Sequence, residues 1–109
     1  MLHELRIYDV SPGALPRLHN RFANITLKHW ERHGIKAVAF WDVAIGDGGN
    51  YRLYYLLEWE NLAEREQKWA AFQADEAWRR DRADTEREGP IVAKIENLIL
   101  QPTSYSPLR

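Results

Sequence analysis

The sequence predicts a single α+β domain in which two helices cover one face of a four-stranded antiparallel sheet. Three observations carry this reading. Four stretches alternate side chains with the period of two that a strand imposes. Two longer stretches repeat apolar residues at three- and four-residue intervals, the period of a helix. Gly, Pro, Asn and Asp punctuate the junctions, so the order is strand, helix, strand, strand, helix, strand.

The first strand is Leu2–Val10, where Leu5 and Ile7 alternate with Glu4, Arg6 and Tyr8. Ser11 is placed to cap the first helix with Pro12 at its first position. Leu15, Leu18, Phe22, Ile25 and His29 then form one helical stripe. Gly34 ends it, as a residue that tolerates a left-handed C-terminal cap. Ile35–Ile45 is the second strand, with Val38, Phe40 and Asp42 on one side and Ala37, Ala39, Trp41 and Val43 on the other. Asp47-Gly48-Gly49-Asn50 is a hairpin turn.

Tyr51–Trp59 is the strongest strand of all, rich in aromatic and branched residues and free of Gly and Pro. Tyr51, Leu53, Tyr55, Leu57 and Trp59 share its core face; Arg52, Tyr54, Leu56 and Glu58 share the other. Asn61 caps a second helix containing Leu62, Trp69 and Phe72. Its pattern continues less regularly through Asp75-Glu-Ala-Trp78 to Glu88, where Gly89-Pro90 stops it. Ile91–Leu100 is the last strand, with Ile91, Ala93, Ile95, Asn97 and Ile99 facing one way and Lys94 and Glu96 the other. Residues 101–109 form an extended tail on a single domain spanning 1–109.

Bulk composition limits the function classes. A net charge of −1 over 109 residues argues against a nucleic-acid partner, which needs a basic excess. Without Cys there is no disulfide framework, thiol nucleophile or thiolate metal site. No apolar run approaches membrane-spanning length and the charged start shows no secretory signal, so the expected setting is the cytoplasm. Five Trp and five Tyr exceed what a minimal core needs and suit interfaces or ligand pockets.

The strand order is the split βαβ, or ferredoxin-like, unit. Two helices cover only one sheet face. The other is expected to carry Glu4, Arg6, Tyr8, Arg52, Tyr54, Leu56, Glu58, Lys94 and Glu96, with Val92 and Leu98. That mixture is too aromatic for bare solvent and too charged for a dry core, so a homodimer packed sheet to sheet is expected.

Several pieces together resemble the NIPSNAP family, a branch of the dimeric α+β barrel superfamily. They are Glu4-Leu-Arg-Ile-Tyr8, Pro12-Gly13, His33-Gly34 before Phe40-Trp41, Glu64-Arg65 with Trp69 and Phe72, Asp75-Glu76-Ala77-Trp78, and Leu100-Gln-Pro-Thr-Ser-Tyr-Ser-Pro107. The resemblance implies a ferredoxin-like fold and a dimer whose two sheets close a barrel. It brings no settled reaction. Related branches include cofactor-free monooxygenases and haem-handling enzymes, which by analogy implies a ligand-holding cleft between helices and sheet.

His29-Trp-Glu-Arg-His33 sets two imidazoles four apart on one helix, a spacing that metal-binding helices use, but no further ligand is marked and no metal or cofactor is expected. His29 is either a hydrogen-bonded core histidine or a cleft residue able to act as acid or base. His29, Tyr54 and Arg6 are the candidate catalytic residues, with His29 moving the proton and the other two polarising a carbonyl or anion. Tyr8, Phe22, Trp30, Trp41 and Trp69 are the candidate ligand-binding residues. The expected function is binding of a small, partly hydrophobic molecule, with acid–base or monooxygenase-like chemistry that needs no cofactor. The alternative is a dimeric interaction module without catalysis, its aromatic residues serving assembly alone.

Overall fold

A computed structural model describes residues 1–108; Arg109, the end of the expected tail, lies outside the described residues. The order of elements is β1 (Leu2–Val10), α1 (Leu15–Arg21), a π-helical turn (Phe22–Thr26), α2 (Leu27–His33), β2 (Lys36–Asp42), β3 (Arg52–Trp59), α3 (Leu62–Ala74), α4 (Glu76–Thr85) and β4 (Val92–Leu100). The four strands form one antiparallel sheet in the order β2-β3-β1-β4, with the helices packed on one face. This is the ferredoxin-like arrangement.

The expected helices are present but differently bounded. Ser11 does not cap α1. Instead Pro12 and Gly13 occupy a tight turn closed by the Ala14 amide donating to Ser11 O at 2.9 Å, and Gly13 takes φ 77°. That is a type II turn, whose third residue needs the freedom of glycine. The helix therefore starts at Leu15, three residues later than the expected first position at Pro12. Its middle departs from α geometry: the Leu27 amide donates to Phe22 O, five residues back. One extra residue in that turn brings Leu18, Phe22, Thr26 and Trp30 onto one buried stripe, displacing the expected one through Ile25. Gly34 ends α2 at φ 69°, as expected.

The second helix is two helices. Asp75 adopts an extended ψ of 116°, which no α-helix accommodates, and its side chain accepts the Ala77 amide at 2.9 Å to start α4 afresh. Asn61 caps α3 by accepting the Glu64 amide at 2.9 Å. The β2–β3 connection also differs: residues 43–51 form a longer loop closed by the Arg52 amide donating to Gly48 O, rather than a four-residue turn.

Beneath the helices lie Leu53, Tyr55, Leu57 and Trp59 of β3, none more than 2% exposed, as the alternation predicts. The phase of β1 is the reverse of the expectation. Glu4 sits opposite Leu57, Arg6 opposite Tyr55 and Tyr8 opposite Leu53, and directly paired residues share a face. Glu4, Arg6 and Tyr8 are therefore under the helices, at 0%, 7% and 9% exposure. Bulges between Ala37 and Ala39 and opposite Asp9/Val10 likewise bring Ala37 to the side of Phe40, and Val92 rather than Ala93 to the side of Ile95.

The uncovered face thus carries Leu5 and Ile7 alongside Tyr54, Leu56, Leu98 and Trp41, with Arg52–Asp9, Lys94–Glu96 and Lys36–Glu58 ion pairs among them. It is more apolar than the sequence reading placed it. Trp41 and Leu98 are half exposed there.

Candidate functional site

A helix layer pressed on β1 and β3 leaves the inner side of the edge strand β4 thinly covered: Ile95 and Ile99 remain 50% and 40% exposed although they face the helices. Beside that gap lies a cavity of about 260 Å³. β1 contributes Arg6 and Tyr8. The stripe through the π-helical turn contributes Arg21, Phe22, Thr26 and Trp30. Trp69, Phe72 and Gln73 come from α3, Trp78 and Arg82 from α4, and Val92 and Ile95 from β4. Its aromatic wall is continuous: Phe22–Trp30, Trp30–Trp69, Trp69–Phe72 and Phe72–Trp78 ring centroids are 5.6, 6.1, 5.4 and 4.8 Å apart. The Arg6 guanidinium lies 4.6 Å from the Trp69 ring centroid, a cation–π contact that fixes both groups.

Below the cavity is a buried polar network. Glu4 accepts from Arg6 Nη1 at 2.9 Å, Arg65 Nε at 2.8 Å, Asn97 Nδ2 at 3.0 Å and Trp59 Nε1 at 3.0 Å. Burial alone raises the pKa of a carboxylate, but these donors outweigh it and hold Glu4 at about 2. Arg6 Nε donates to Tyr55 Oη at 2.7 Å, and Tyr55 Oη donates to Tyr8 Oη at 2.7 Å. Burial pushes the Tyr55 pKa well up, so its phenol keeps the proton with which it donates to Tyr8. Tyr8 also accepts from Arg6 Nη2 at 3.4 Å. Its oxygen is thus occupied as an acceptor, and its own O–H is left to donate on the cavity wall.

The lining residues carry further polar groups, some on the wall and some behind it. Trp30 Nε1 and Thr26 Oγ1 are buried without a hydrogen-bond partner. Arg21, 5% exposed, reaches Thr85 Oγ1 at 3.4 Å and Glu86 Oε1 at 3.3 Å. Burial lowers its pKa, which the Glu86 carboxylate only partly offsets. Arg82 shares the same carboxylate at 3.7 Å and is half exposed. The lining contains no carboxylate.

Of the residues singled out from sequence, Arg6, Tyr8, Phe22, Trp30 and Trp69 meet on this cavity. Three lie elsewhere. Tyr54 and Trp41 face each other across β2 and β3 on the uncovered side, so Tyr54 and Arg6 are on opposite faces of the sheet. His29 is buried behind Trp78, their ring centroids 5.7 Å apart, and does not line the cavity. Arg32 has only protons to offer, so His29 Nδ1 accepts from it at 2.7 Å; this assigns the ring proton to Nε2, which donates to Asp81 at 2.7 Å. His33 meets Asp75 at 2.7 Å. Both imidazoles are thus held by carboxylates, and among the described residues no three metal-ligating side chains cluster. Nor, among the described residues, is any helix long and apolar enough to cross a membrane.

Arg21, Thr26, Phe72, Gln73, Trp78 and Arg82 complete the wall without having been singled out as site residues. Trp78 and Arg82 are four apart on α4, which the sequence presents as a solvated, charged helix. Their spacing was the available signal. Thr26 carried none, because only the π-helical turn brings it into line.

Fold and site together define a ferredoxin-like α+β domain with an aromatic, arginine-bearing cavity beneath its helices. The NIPSNAP family model matches residues 3–107, and the chain belongs to that family. The structure is similar to that of a NIPSNAP family protein of unknown function from Agrobacterium tumefaciens, at 23% identity, 100% of this chain, 94% of that one and a TM-score of 0.85. It is also similar to an uncharacterized NIPSNAP-like domain protein from Burkholderia xenovorans, at 23% identity, 97% and 88% coverage and a TM-score of 0.83. At greater distance it shares its fold with MhuD, solved with two manganese protoporphyrin IX molecules per active site, at 19% identity, 94% coverage of each chain and a TM-score of 0.57. No protein of curated function matches the sequence.

Proposed function

We propose that the protein is a homodimer that binds a small, partly hydrophobic molecule in the cavity between its helices and its sheet. The single observation that supports this most is a ring-lined apolar cavity with three arginines on its wall, beside which Trp30 Nε1 and Thr26 Oγ1 are buried without protein partners. Protein interiors pair nearly all their buried polar groups, and an unpaired one calls for an explanation such as a ligand. The cavity suits a modest occupant. At about 30 Å³ per water in the liquid, 260 Å³ is the room of roughly nine waters, enough for a one- or two-ring molecule. MhuD, which shares the fold, binds manganese protoporphyrin IX in its active site, and this supports ligand binding by a domain of this shape.

The uncovered sheet face supports the dimer. Leu5, Ile7, Tyr54, Leu56 and Leu98 form a band across the three adjacent strands β3, β1 and β4, and isolated chains rarely leave such a surface bare. Acid–base chemistry without a cofactor, if the bound molecule is turned over, falls to Tyr8 rather than to His29. The Tyr8 hydroxyl is on the wall and is held by the Arg6–Tyr55 relay, whereas both ring nitrogens of His29 are engaged elsewhere. Native mass spectrometry of the purified protein tests the reading. A small molecule retained on a dimer, and lost on filling the cavity by Thr26→Trp, is expected. Empty protein, with neither intrinsic tryptophan fluorescence nor melting temperature shifted by any member of a small aromatic library, would overturn it and favour a module that serves assembly alone.

A further inference from the structure

We propose that the molecule bound in this cavity is an anion, a carboxylate or similar group on a flat apolar body, received by Arg21, Arg82 and the Tyr8 hydroxyl. The proposal rests on the cavity being a small-molecule site and adds the charge of the occupant.

The charge balance around the cavity is uneven. Arg6 and Arg65 share the single carboxylate of Glu4, and Arg21 and Arg82 share the single carboxylate of Glu86. Arg65 also holds Glu66 at 3.0 Å, so four guanidinium groups meet three carboxylates, and none of Glu4, Glu66 and Glu86 lines the cavity, whereas Arg6, Arg21 and Arg82 do. A cation entering this space would meet positive charge on its walls with no opposing group. An anion would complete the pair in which Arg21 and Arg82 share one carboxylate. The weaker of the two shared pairs is the better receiver: Arg21 and Arg82 hold Glu86 at 3.3 and 3.7 Å, against 2.9 and 2.8 Å for the Glu4 pair.

The neutral polar groups point the same way. Tyr8 has its oxygen filled by Tyr55 and Arg6 and retains only a proton to give. The Trp30 indole nitrogen is a donor and never an acceptor, and it is buried without a partner, in a residue 2% exposed. Thr26, 3% exposed, adds a hydroxyl that is equally unpartnered. Acceptors on the wall are few, the Gln73 amide and the Thr26 hydroxyl, against three arginines and the Tyr8 hydroxyl, and an ionised carboxylate supplies about four lone pairs. Hydrogen bonds to such a charge are roughly twice as strong as neutral ones. The rest of the wall, from Phe22 through Trp69 and Phe72 to Trp78, suits a planar apolar body. The placement of the cations also gives the anion a route. Arg82 is half exposed, whereas the Arg21 side chain is 6% exposed, so one can meet an anion at the surface and the other hold it inside.

Three naphthalene probes of one shape and different charge test this on the full chain: 2-naphthoate, 2-naphthalenemethanol and 2-(aminomethyl)naphthalene, titrated by calorimetry at pH 7.5 and low salt. The naphthoate is expected to bind about tenfold or more tightly than the alcohol, the preference of a charge-assisted site, and the amine more weakly than either. Arg82→Gln, at a half-exposed position that leaves folding intact, is expected to remove several-fold of the naphthoate preference and leave the alcohol unchanged. Arg21→Gln, with its fold checked by circular dichroism, is expected to abolish the preference. Equal affinity for naphthoate and alcohol would overturn the anion assignment while leaving the small-molecule reading in place. Preference for the amine would overturn it too. Binding of none of the three would overturn both.

Discussion

Replacing Glu4 by Gln is the sharpest test of the buried network, because it removes one charge with almost no change of shape. Glu4 is fully buried and receives Arg6, Arg65, Asn97 and Trp59. The substitution leaves Arg6, itself 7% exposed, without the carboxylate it pairs with among the described residues. Stranding one member of a buried ion pair costs about 3–5 kcal/mol. Linkage gives an independent figure: a carboxyl held at about 2 rather than 4.5 corresponds to roughly 3 kcal/mol at neutral pH. The two agree on about 3 kcal/mol, or a fall in melting temperature of roughly 12–20 °C for a domain near this size. The pH dependence has a fixed sign. The native pKa is depressed, so the stabilisation is complete above 4.5 and is lost as pH falls through about 2. Urea unfolding followed by circular dichroism, at one protein concentration because a dimer makes stability concentration-dependent, should show the gap between wild type and Glu4→Gln at its full size at pH 7. It should narrow from pH 4.5 downward. A gap below about 0.5 kcal/mol at pH 7, the range of ordinary surface substitutions, would refute the reasoning; so would a gap that stays constant down to pH 2.

Three other outcomes follow from the same geometry. Tyr55→Phe removes the oxygen that accepts Arg6 Nε and donates to Tyr8; the stranded donor should cost about 1–3 kcal/mol in urea unfolding, and a neutral result would mean the relay has no energetic weight. His29→Ala cuts the bonds to Asp81 and Arg32, so stability should fall by about 1–3 kcal/mol while naphthoate affinity stays within about threefold. A loss of binding or turnover in a variant of intact stability would return His29 to the site. Leu98→Lys lies on the uncovered face at 54% exposure, and should convert a dimer into single chains by sedimentation velocity while leaving each chain's circular dichroism unchanged. An unaltered dimer would place the interface elsewhere.

The residues that made the fold legible were those whose local pattern has one solution. Tyr51–Trp59 alternates without interruption, and its core face is buried as read from Leu53 to Trp59, while Tyr51 lies before the strand and is 39% exposed. Asn61 and Gly34 cap the helices they were expected to cap. The strand order follows from the succession of elements once the helices are confined to one face. What stayed illegible were single-residue shifts. The π-helical turn at Phe22–Thr26 and the bulges in the β2 and β4 pairings each insert one residue, which changes the face of everything beyond it. No composition marks them. The break at Asp75 did carry a signal, since Asp followed by Glu and Ala is a fair helix start, but the Leu62–Trp78 stretch has no Gly or Pro to separate two helices.

The reversed phase of β1 is the error with the largest physical content. Period-two alternation tells which residues share a side of a strand and not which side is covered. Polarity normally decides, and Glu4-Leu-Arg-Ile-Tyr8 pointed its charges outward by that rule. Here the rule fails because other elements complete the charges: Arg65 arrives from α3, Asn97 from β4 and Trp59 from β3, so no polar atom of Glu4 is left wanting. Each of the three is far from β1 in sequence, and none is recognisable as a partner until the strands are paired. The inversion has two consequences that belong together. It turns Arg6 and Tyr8 into the floor of a cavity that a purely aliphatic strand would have filled. It also turns Leu5 and Ile7 outward into a surface that a single chain has no means of covering. A strand read the other way round would give neither a polar-floored pocket nor a reason for a second subunit, so the proposed binding site and the proposed dimer depend on the same four alternating residues.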